Sequence, residues 1–259
     1  MLTTQLIRNP IDQTEPSENV SDRFSLINTR SLIALAEKQG FRLASVKYPR
    51  GKNAPHALHR VTMDMPGLVS DRAERPQLII QNAHNGTSTI RLMAGVFRLI
   101  CSNGLIAGDT TMNIRLRHVG LIQSEVEESF QIAASSTLLL DSKIDAFKSK
   151  KLEIEQREQF VLDALAIRAD AAGLSDDEKK RLVNSQYNQN VTNRVRRIGD
   201  QGLGLWEVFN RVQEKLVRIG GISYLGDDQQ FHTLRAVNQI QANTKLNQAL
   251  WQLAEGYAA

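Results

Sequence analysis

Hydrophobic positions along this chain change their period twice, and the changes divide it into an arm, an alternating half and a helical half. Residues 1–20 show no apolar period, are broken by Pro10, Pro16 and Ser17, and are expected to form a flexible arm. Leu32, Ile33, Leu35 and Ala36 then share one helical face, with Asn28 or Thr29 available as a cap and Gly40 placed to end the helix. From Phe41 the pattern alternates, so 41–48 and 57–63 read as strands joined by a loop running from Pro49 to Pro55. Residues 77–81 and 87–92 flank His84-Asn85-Gly86, and Asn-Gly predicts the tight turn of a hairpin. The apolar run from Val96 to Cys101 reads as a buried strand or a short buried helix, closed by Ser102-Asn103-Gly104. Met112, Ile114 and Leu116 alternate with Asn113, Arg115 and Arg117, which predicts a strand with one apolar and one basic face.

Beyond Gly120 the period is helical. Val126, Phe130, Ala133, Leu140, Ile144 and Phe147 keep a three-four spacing interrupted only at Thr137, which predicts one long helix. A second helix carries Phe160, Val161, Ala164, Leu165 and Ile167 and ends near Gly173, and Ser175-Asp176-Asp177-Glu178 forms a capping box for a third. A polar segment with Arg194, Arg196 and Arg197 follows. Leu205, Phe209, Val212, Leu216 and Ile219 then define a helix closed by Gly220-Gly221, and a last helix is expected from about Gln229 through Phe231, Leu234, Ile240, Leu246, Leu250, Leu253 and Tyr257. The fold class is α+β: an antiparallel sheet with a short helix in the N-terminal half, and an all-helical C-terminal half of long amphipathic helices. The expected organisation is an arm over 1–20, a basic α+β domain over 21–120 and a helical domain over 121–259.

Composition narrows the class without naming a chemistry. The 259 residues, 41% of them hydrophobic, suit a globular protein and exclude a disordered or collagen-like chain. A single cysteine, Cys101, rules out an intramolecular disulfide or a Cys-rich zinc module, and with no secretory signal or apolar run long enough to span a bilayer it points to a cytoplasmic protein without membrane contact. The formal charge of +4 is uneven. Residues 1–120 hold 15 Lys and Arg against 9 Asp and Glu, while the remainder holds 17 against 19. A basic first half attracts polyanions, because releasing counterions from phosphates supplies much of nucleic-acid affinity.

Catalytic motifs are missing. Cys101 with His84 and His118 would be needed for a thiol nucleophile, yet Leu99 and Ile100 mark Cys101 as a buried, inert thiol. His56 and His59 lack the further ligands a metal needs. Asp64, Asp71, Glu74 and Asp109 show no spacing that demands a two-metal site, and solvation at the surface is their expected fate. Gly95, Gly104 and Gly108, like Gly199, Gly202 and Gly204, form no phosphate loop. No enzyme activity, cofactor or metal is expected. What remains is the basic strand face: Arg42, Arg60, Arg91, Arg115 and Arg117 would project from one side while Leu43, Val61, Ile90 and Leu116 pack beneath helices, giving a positive platform on which Tyr48 or Phe97 could stack a base.

Two stretches carry a family likeness. His84-Asn85-Gly86-Thr87-Ser88 with Arg98, Cys101 and Asn103, and later the segment around Trp206 and Asn210, resemble the phage- and plasmid-borne domain of unknown function nine-three-two. Its pattern has a His-Asp-Gly-Ser turn, an Arg-x-x-Cys-x-Asn element and a Trp-x-x-Tyr-Asn helix, from which this chain departs at Asn85, Thr87 and Phe209. The resemblance implies a mobile-element origin and no established activity. The expected function is binding of nucleic acid, single-stranded DNA in recombination or replication in the manner of annealing proteins, by a homo-oligomer. The alternative is a protein-binding factor that contacts a host protein, such as a defence enzyme, and no nucleic acid.

Overall fold

The structure is a computed structural model that describes residues 9–51, 54–65, 74–98, 104–106 and 113–259. Contacts divide the chain into two units, residues 1–97 with 109–140 and residues 98–108 with 141–259.

In the first unit, Asn28 caps α1 (Thr29–Lys38) by accepting from the Arg30 N–H at 2.7 Å, and Leu32, Ile33, Leu35 and Ala36 are buried on its inner face. The alternating sequence becomes strands β1 (Arg42–Lys47), β2 (His59–Asp64), β3 (Glu74–Asn82) and β4 (Ile90–Arg98). A short strand, β5 (Gly104–Ile106), is counted in the second unit, and β6 (Asn113–Leu116) returns to the first. The sheet of the first unit runs β1-β2-β3-β4, with β6 also on β4. Antiparallel registers set its faces. Val46 opposes Val61, which opposes Ile80, and Met63 opposes Leu78, so these residues share the apolar face. Lys47, Arg60 and Gln81 form a row on the other side, as do Arg42, Asp64 and Gln77. Val61, Met63, Leu78 and Ile80 are fully buried, and α1 and α2 (Gln123–Leu138) pack on this sheet.

Several elements differ from expectation for physical reasons. Strands flank Asn85-Gly86, but their connection spans residues 83–89, and only Gly86 has a positive φ, at +72°. Asn85 Oδ1 accepts instead from the Thr87 N–H at 3.2 Å and Thr87 Oγ1 at 2.6 Å, closing a side-chain turn. The His84 main chain is held on both sides, its N–H donating to His56 O at 2.9 Å and its carbonyl accepting from Ser17 at 2.8 Å, which leaves no room for a two-residue turn. The long helix expected through Phe147 breaks at Leu139 into α2 and α3 (Leu140–Ser149). Buried Thr137 donates its hydroxyl to the Ala133 carbonyl at 2.8 Å, a back-bond that bends helices, two residues before the break.

The second unit is helical except for one hairpin. Helices α4 (Ile154–Ala172), α5 (Asp176–Val183) and α7 (Leu205–Gln213) follow the sequence pattern, whereas α6 (Gln186–Thr192) forms at the start of the segment expected to be polar, where the Ser185 hydroxyl caps it by accepting from the Asn188 N–H; the Ser175–Glu178 capping box is present in both directions. A π-helical turn, Glu214–Ile219, continues α7 and leads into β7 (Gly220–Leu225). Residues expected in the last helix form β8 (Phe231–Arg235) opposite β7, and α8 (Ile240–Ala258) begins after it. The three-residue spacing of Phe231 and Leu234 imitates a helix, yet Phe231 is 82% exposed on the hairpin. Asn188 clasps this hairpin: its Nδ2 donates to Leu182 O at 2.9 Å and Ser223 O at 2.7 Å, and its Oδ1 accepts from Ser223 N at 3.2 Å. Phe147, Phe209 and Trp251 meet in the core, with ring centroids 4.8 Å apart for Phe147–Trp251 and 5.8 Å for Phe209–Trp251.

The start of the hairpin depends on Gly220, whose φ is +68° and where a Cβ would lie 2.5 Å from the Ala236 nitrogen and the Arg235 carbonyl carbon. Gly220→Ala is expected to cost more than about 3 kcal/mol, the sum of backbone strain and a clash with main chain. Gly173→Ala, at φ +72° but in open space, should cost about 1 kcal/mol. Urea unfolding of the two variants against the parent measures the difference.

Candidate functional site

The cationic strand residues are brought together in two places. Arg91 on β4 and Arg115 on β6 are direct cross-strand partners, because Ile90 opposes Leu116 and Leu92 opposes Ile114 in the same register. Arg117 follows β6 and is exposed. Burial and the Arg115 charge hold the Arg91 guanidinium below its usual range, and its Nε is buried with no hydrogen-bond partner. The second place is the β1 edge. Lys47, Tyr48 and Arg50 line a depression of about 460 Å³ with Val46, Tyr48 being 37% exposed, and Arg42 is exposed at the other end of the strand. Lys47 faces Arg60, and burial followed by the Arg60 charge lowers its pKa. Arg60 is withdrawn from solvent, and burial pushes it down to about 10. Among the described residues no carboxylate pairs with Arg42, Lys47, Arg91, Arg115 or Arg117.

Between these places the expected open platform is interrupted. Gln77, Ile79 and Gln81, which share a face of β3, are only 3%, 2% and 1% exposed, so the central strand is covered on both sides. Leu43, expected beneath a helix, is 46% exposed, whereas Val61 and Ile90 are fully buried. Lys47 and Arg50 join the basic surface without having been singled out. A lysine alternating with Val46 and an arginine opening the loop after β1 were the available signals.

The expected turn histidine belongs to a buried polar cluster. Thr29, His59, Asn82 and His84 are all inaccessible to solvent. Thr29 Oγ1 lies 2.7 Å from His59 Nε2 and 3.2 Å from His84 Nε2, and Asn82 Nδ2 donates to Thr29 Oγ1 and to Ile27 O at 3.0 Å each. His59 Nδ1 donates to Ala57 O at 2.9 Å, so its Nε2 accepts from the Thr29 hydroxyl; His84 Nε2 lies 3.2 Å from Asn82 Nδ2. Both rings are therefore held neutral. Burial, then the proximity of His59, and further His118 and His56, push His84 down to about 4 against an opposing Pro55 carbonyl. Burial lowers His59 and His118 as well, and His118 stacks on Phe24 at 4.5 Å. With no solvent path to its atoms, the cluster ties α1, β2 and the loop before β4 together; it does not offer a reacting group.

Trp206 and Asn210, the motif residues of the second unit, are buried. Trp206 is 2% exposed, its ring 6.0 Å from that of Phe209, and Asn210 bonds its own helix, Nδ2 donating to the Trp206 carbonyl at 2.6 Å, not a neighbouring element. Cys101 and Asn103 lie outside the described residues, as do Asp71, Asp109 and the side chains of Phe97 and Arg98. Of the other two carboxylates, Asp64 accepts from Gln77 Nε2 at 2.6 Å and Glu74 is 6% exposed, so the expected solvation does not hold for Glu74. Among the described residues no three His, Cys, Asp or Glu side chains are placed to hold a metal, and no helix is long and apolar enough to cross a membrane. Sequence reasoning missed Arg211, which is 4% exposed and organises the loop before α7: Nη1 donates to the carbonyls of Asp200 and Gly202, and Nε and Nη2 to Asn193 Oδ1 at 3.2 and 3.0 Å.

A family model described as "Domain of unknown function (DUF932)" matches residues 16–251. The curated UPF0380 protein YfjQ of Escherichia coli strain K12 is 29% identical over 243 residues, and UPF0380 protein YafZ of the same strain is 28% identical over 241; each match covers 92% of this chain and 84% of the relative. No solved structure matches.

The neutral histidines give the protein an acid sensitivity with a definite sign. In the unfolded chain His84 regains a pKa near 6.5 and binds a proton that the folded state refuses until about pH 4. Its contribution is fully present above pH 6.5 and is lost as pH falls toward about 4, with His59 and His118 acting in the same direction. Urea midpoints measured from pH 7.5 to pH 4 should fall across that window, and Asn82→Leu should lower the midpoint at pH 7.5 by leaving Thr29 and the Ile27 carbonyl without their donor.

Proposed function

The chain belongs to the DUF932 family of domains of unknown function, and we propose that it binds nucleic acid, single-stranded DNA above all, through the arginine-bearing strands of its first unit. The observation that carries this reading is the directly opposed Arg91–Arg115 pair, with Arg117 beyond it and, among the described residues, no carboxylate partner at any of the three. Like charges facing across strands repel, and an anion between them turns that repulsion into two favourable contacts. Phosphate is the matching anion, since planar guanidinium donors engage its oxygens two at a time. Lys47, Arg50 and Tyr48 offer a second set of cations with one stacking surface. With so few exposed aromatic rings, affinity comes from charge and is steeply salt-dependent. A role in recombination or replication, and self-association on the strand, complete this reading.

A protein-binding function without nucleic acid is the second reading. It is favoured by the exposed apolar residues Ile198 at 86%, Tyr187 at 63% and Leu203 at 58% in the second unit. Arg211 and the Arg197–Glu214 ion pair hold the segment that carries Ile198 and Leu203, a rigid presentation suited to a partner surface.

Fluorescence anisotropy with a labelled single-stranded oligonucleotide separates the two. The parent should bind at low salt with an affinity that falls steeply as salt rises. Arg91→Gln with Arg115→Gln should weaken binding roughly tenfold or more and reduce the salt slope by about 2, without loss of stability, because the substitutions remove a repulsion. No salt-sensitive binding at micromolar protein would end the nucleic-acid reading. Ile198→Asp should then be the change that abolishes capture of a protein partner.

A further inference from the structure

A groove of about 860 Å³ lies within the second unit, bounded by the C-terminal part of α4, the segment after β8 and the first half of α8. That volume lies within the range of small-molecule sites. Ile167, Leu234, Val237, Leu246 and Ala249 supply an apolar lining. Two cations line the same groove. Arg168 is only 6% exposed, and its partners are both carbonyls: Nε donates to Leu216 O at 3.2 Å and Nη2 to Arg235 O at 2.9 Å. Among the described residues nothing accepts from its Nη1 and no carboxylate offsets its charge. Lys245, exposed on α8, likewise has no carboxylate partner among the described residues. The groove's one acid, Asp170, is already engaged, both oxygens accepting from Lys179 Nζ at 2.6 and 2.7 Å.

We propose that this groove binds a small amphipathic carboxylic acid, its apolar body against the α4 and α8 side chains and its carboxylate on Arg168 and Lys245. A buried cation without a counter-charge is costly, and a bound carboxylate supplies that charge while accepting from the idle Nη1. A neutral apolar ligand would fill the groove and leave the charge as it was. A phosphate would find the charge and lose the apolar lining. The site is distinct from the strand arginines and does not depend on the nucleic-acid reading.

Isothermal titration of the full chain with decanoate, and with decanol as the neutral counterpart, tests the assignment. Decanoate should bind saturably with one molecule per chain, and decanol about tenfold or more weaker, the usual scale of a charged hydrogen bond. Lys245→Gln should weaken decanoate roughly threefold to tenfold and leave decanol unchanged. Ala249→Phe, which fills the groove, should abolish binding of both ligands, and Ala242→Leu serves the same purpose if the larger substitution disturbs folding. Equal affinity for decanoate and decanol, no saturable decanoate binding below about 1 mM, or full binding by a folded, groove-filled variant would each overturn the proposal.

Discussion

Two guanidinium groups face each other across β4 and β6, and the sheet's register leaves them no alternative. Ile90 and Leu92 occupy the same strand as Arg91 and are fully buried. Burying each such side chain stabilises the fold by about 2 kcal/mol. A cross-strand pair of like charges costs roughly 1 kcal/mol or less at a partly solvated site. Slipping β6 by one residue would separate the arginines and turn its apolar face away from the core, so the apolar side of the sheet decides the register and the basic side accepts the result. The unpaired positive charge at this edge is thus a consequence of core packing, and it is available to an anion without any rearrangement of the fold.

Buried cations in the second unit are handled differently. Arg211 donates to two main-chain carbonyls and to one amide oxygen, and its surroundings include Asp200 and Glu207, whose charges oppose the effect of burial on its pKa. Arg168 is buried to a similar degree with two carbonyls and, among the described residues, no carboxylate. Both side chains stitch elements together through main-chain oxygens, and Arg168 does so at the wall of a groove. The charge of Arg211 is answered within the protein, whereas that of Arg168 is left open among the described residues.

The sequence shows most of this architecture wherever one period dominates. Alternation over β1, β2 and β6, the three-four spacing of α4 and α7, and the Ser175–Glu178 box are local patterns that translate directly into structure. β8 was hidden because Phe231 and Leu234 fit a helical face, while the decisive feature, pairing with β7 after the turn at Gly226–Gln230, is set by a partner strand. The interruption at Thr137 was visible, but its consequence depended on the hydroxyl finding the Ala133 carbonyl. The arginines could be identified one strand at a time. Which of them lie side by side depends on the pairing of β4 with β6, and the cover over Gln77, Ile79 and Gln81 leaves no alternating signal, since both faces of β3 are buried.

His84 shows why a motif residue need not carry chemistry. A histidine beside Asn-Gly looks like an exposed turn residue, yet here its ring enters the interior and meets three groups that are far apart in sequence. Ala57 requires a proton on His59 Nδ1, which makes Nε2 an acceptor for Thr29, and Asn82 supplies its two N–H groups to Thr29 and the Ile27 carbonyl. Such an arrangement is satisfied by one set of protonation states and one arrangement of the strands, so it selects against other packings more sharply than an apolar contact of equal area. Trp206 and Asn210 act in a comparable way within α7, one by filling the core and the other by bonding the turn before it. The described motif residues, apart from the exposed turn itself, thus trace the constraints that build the two units, and the cations that no carboxylate answers lie outside that motif.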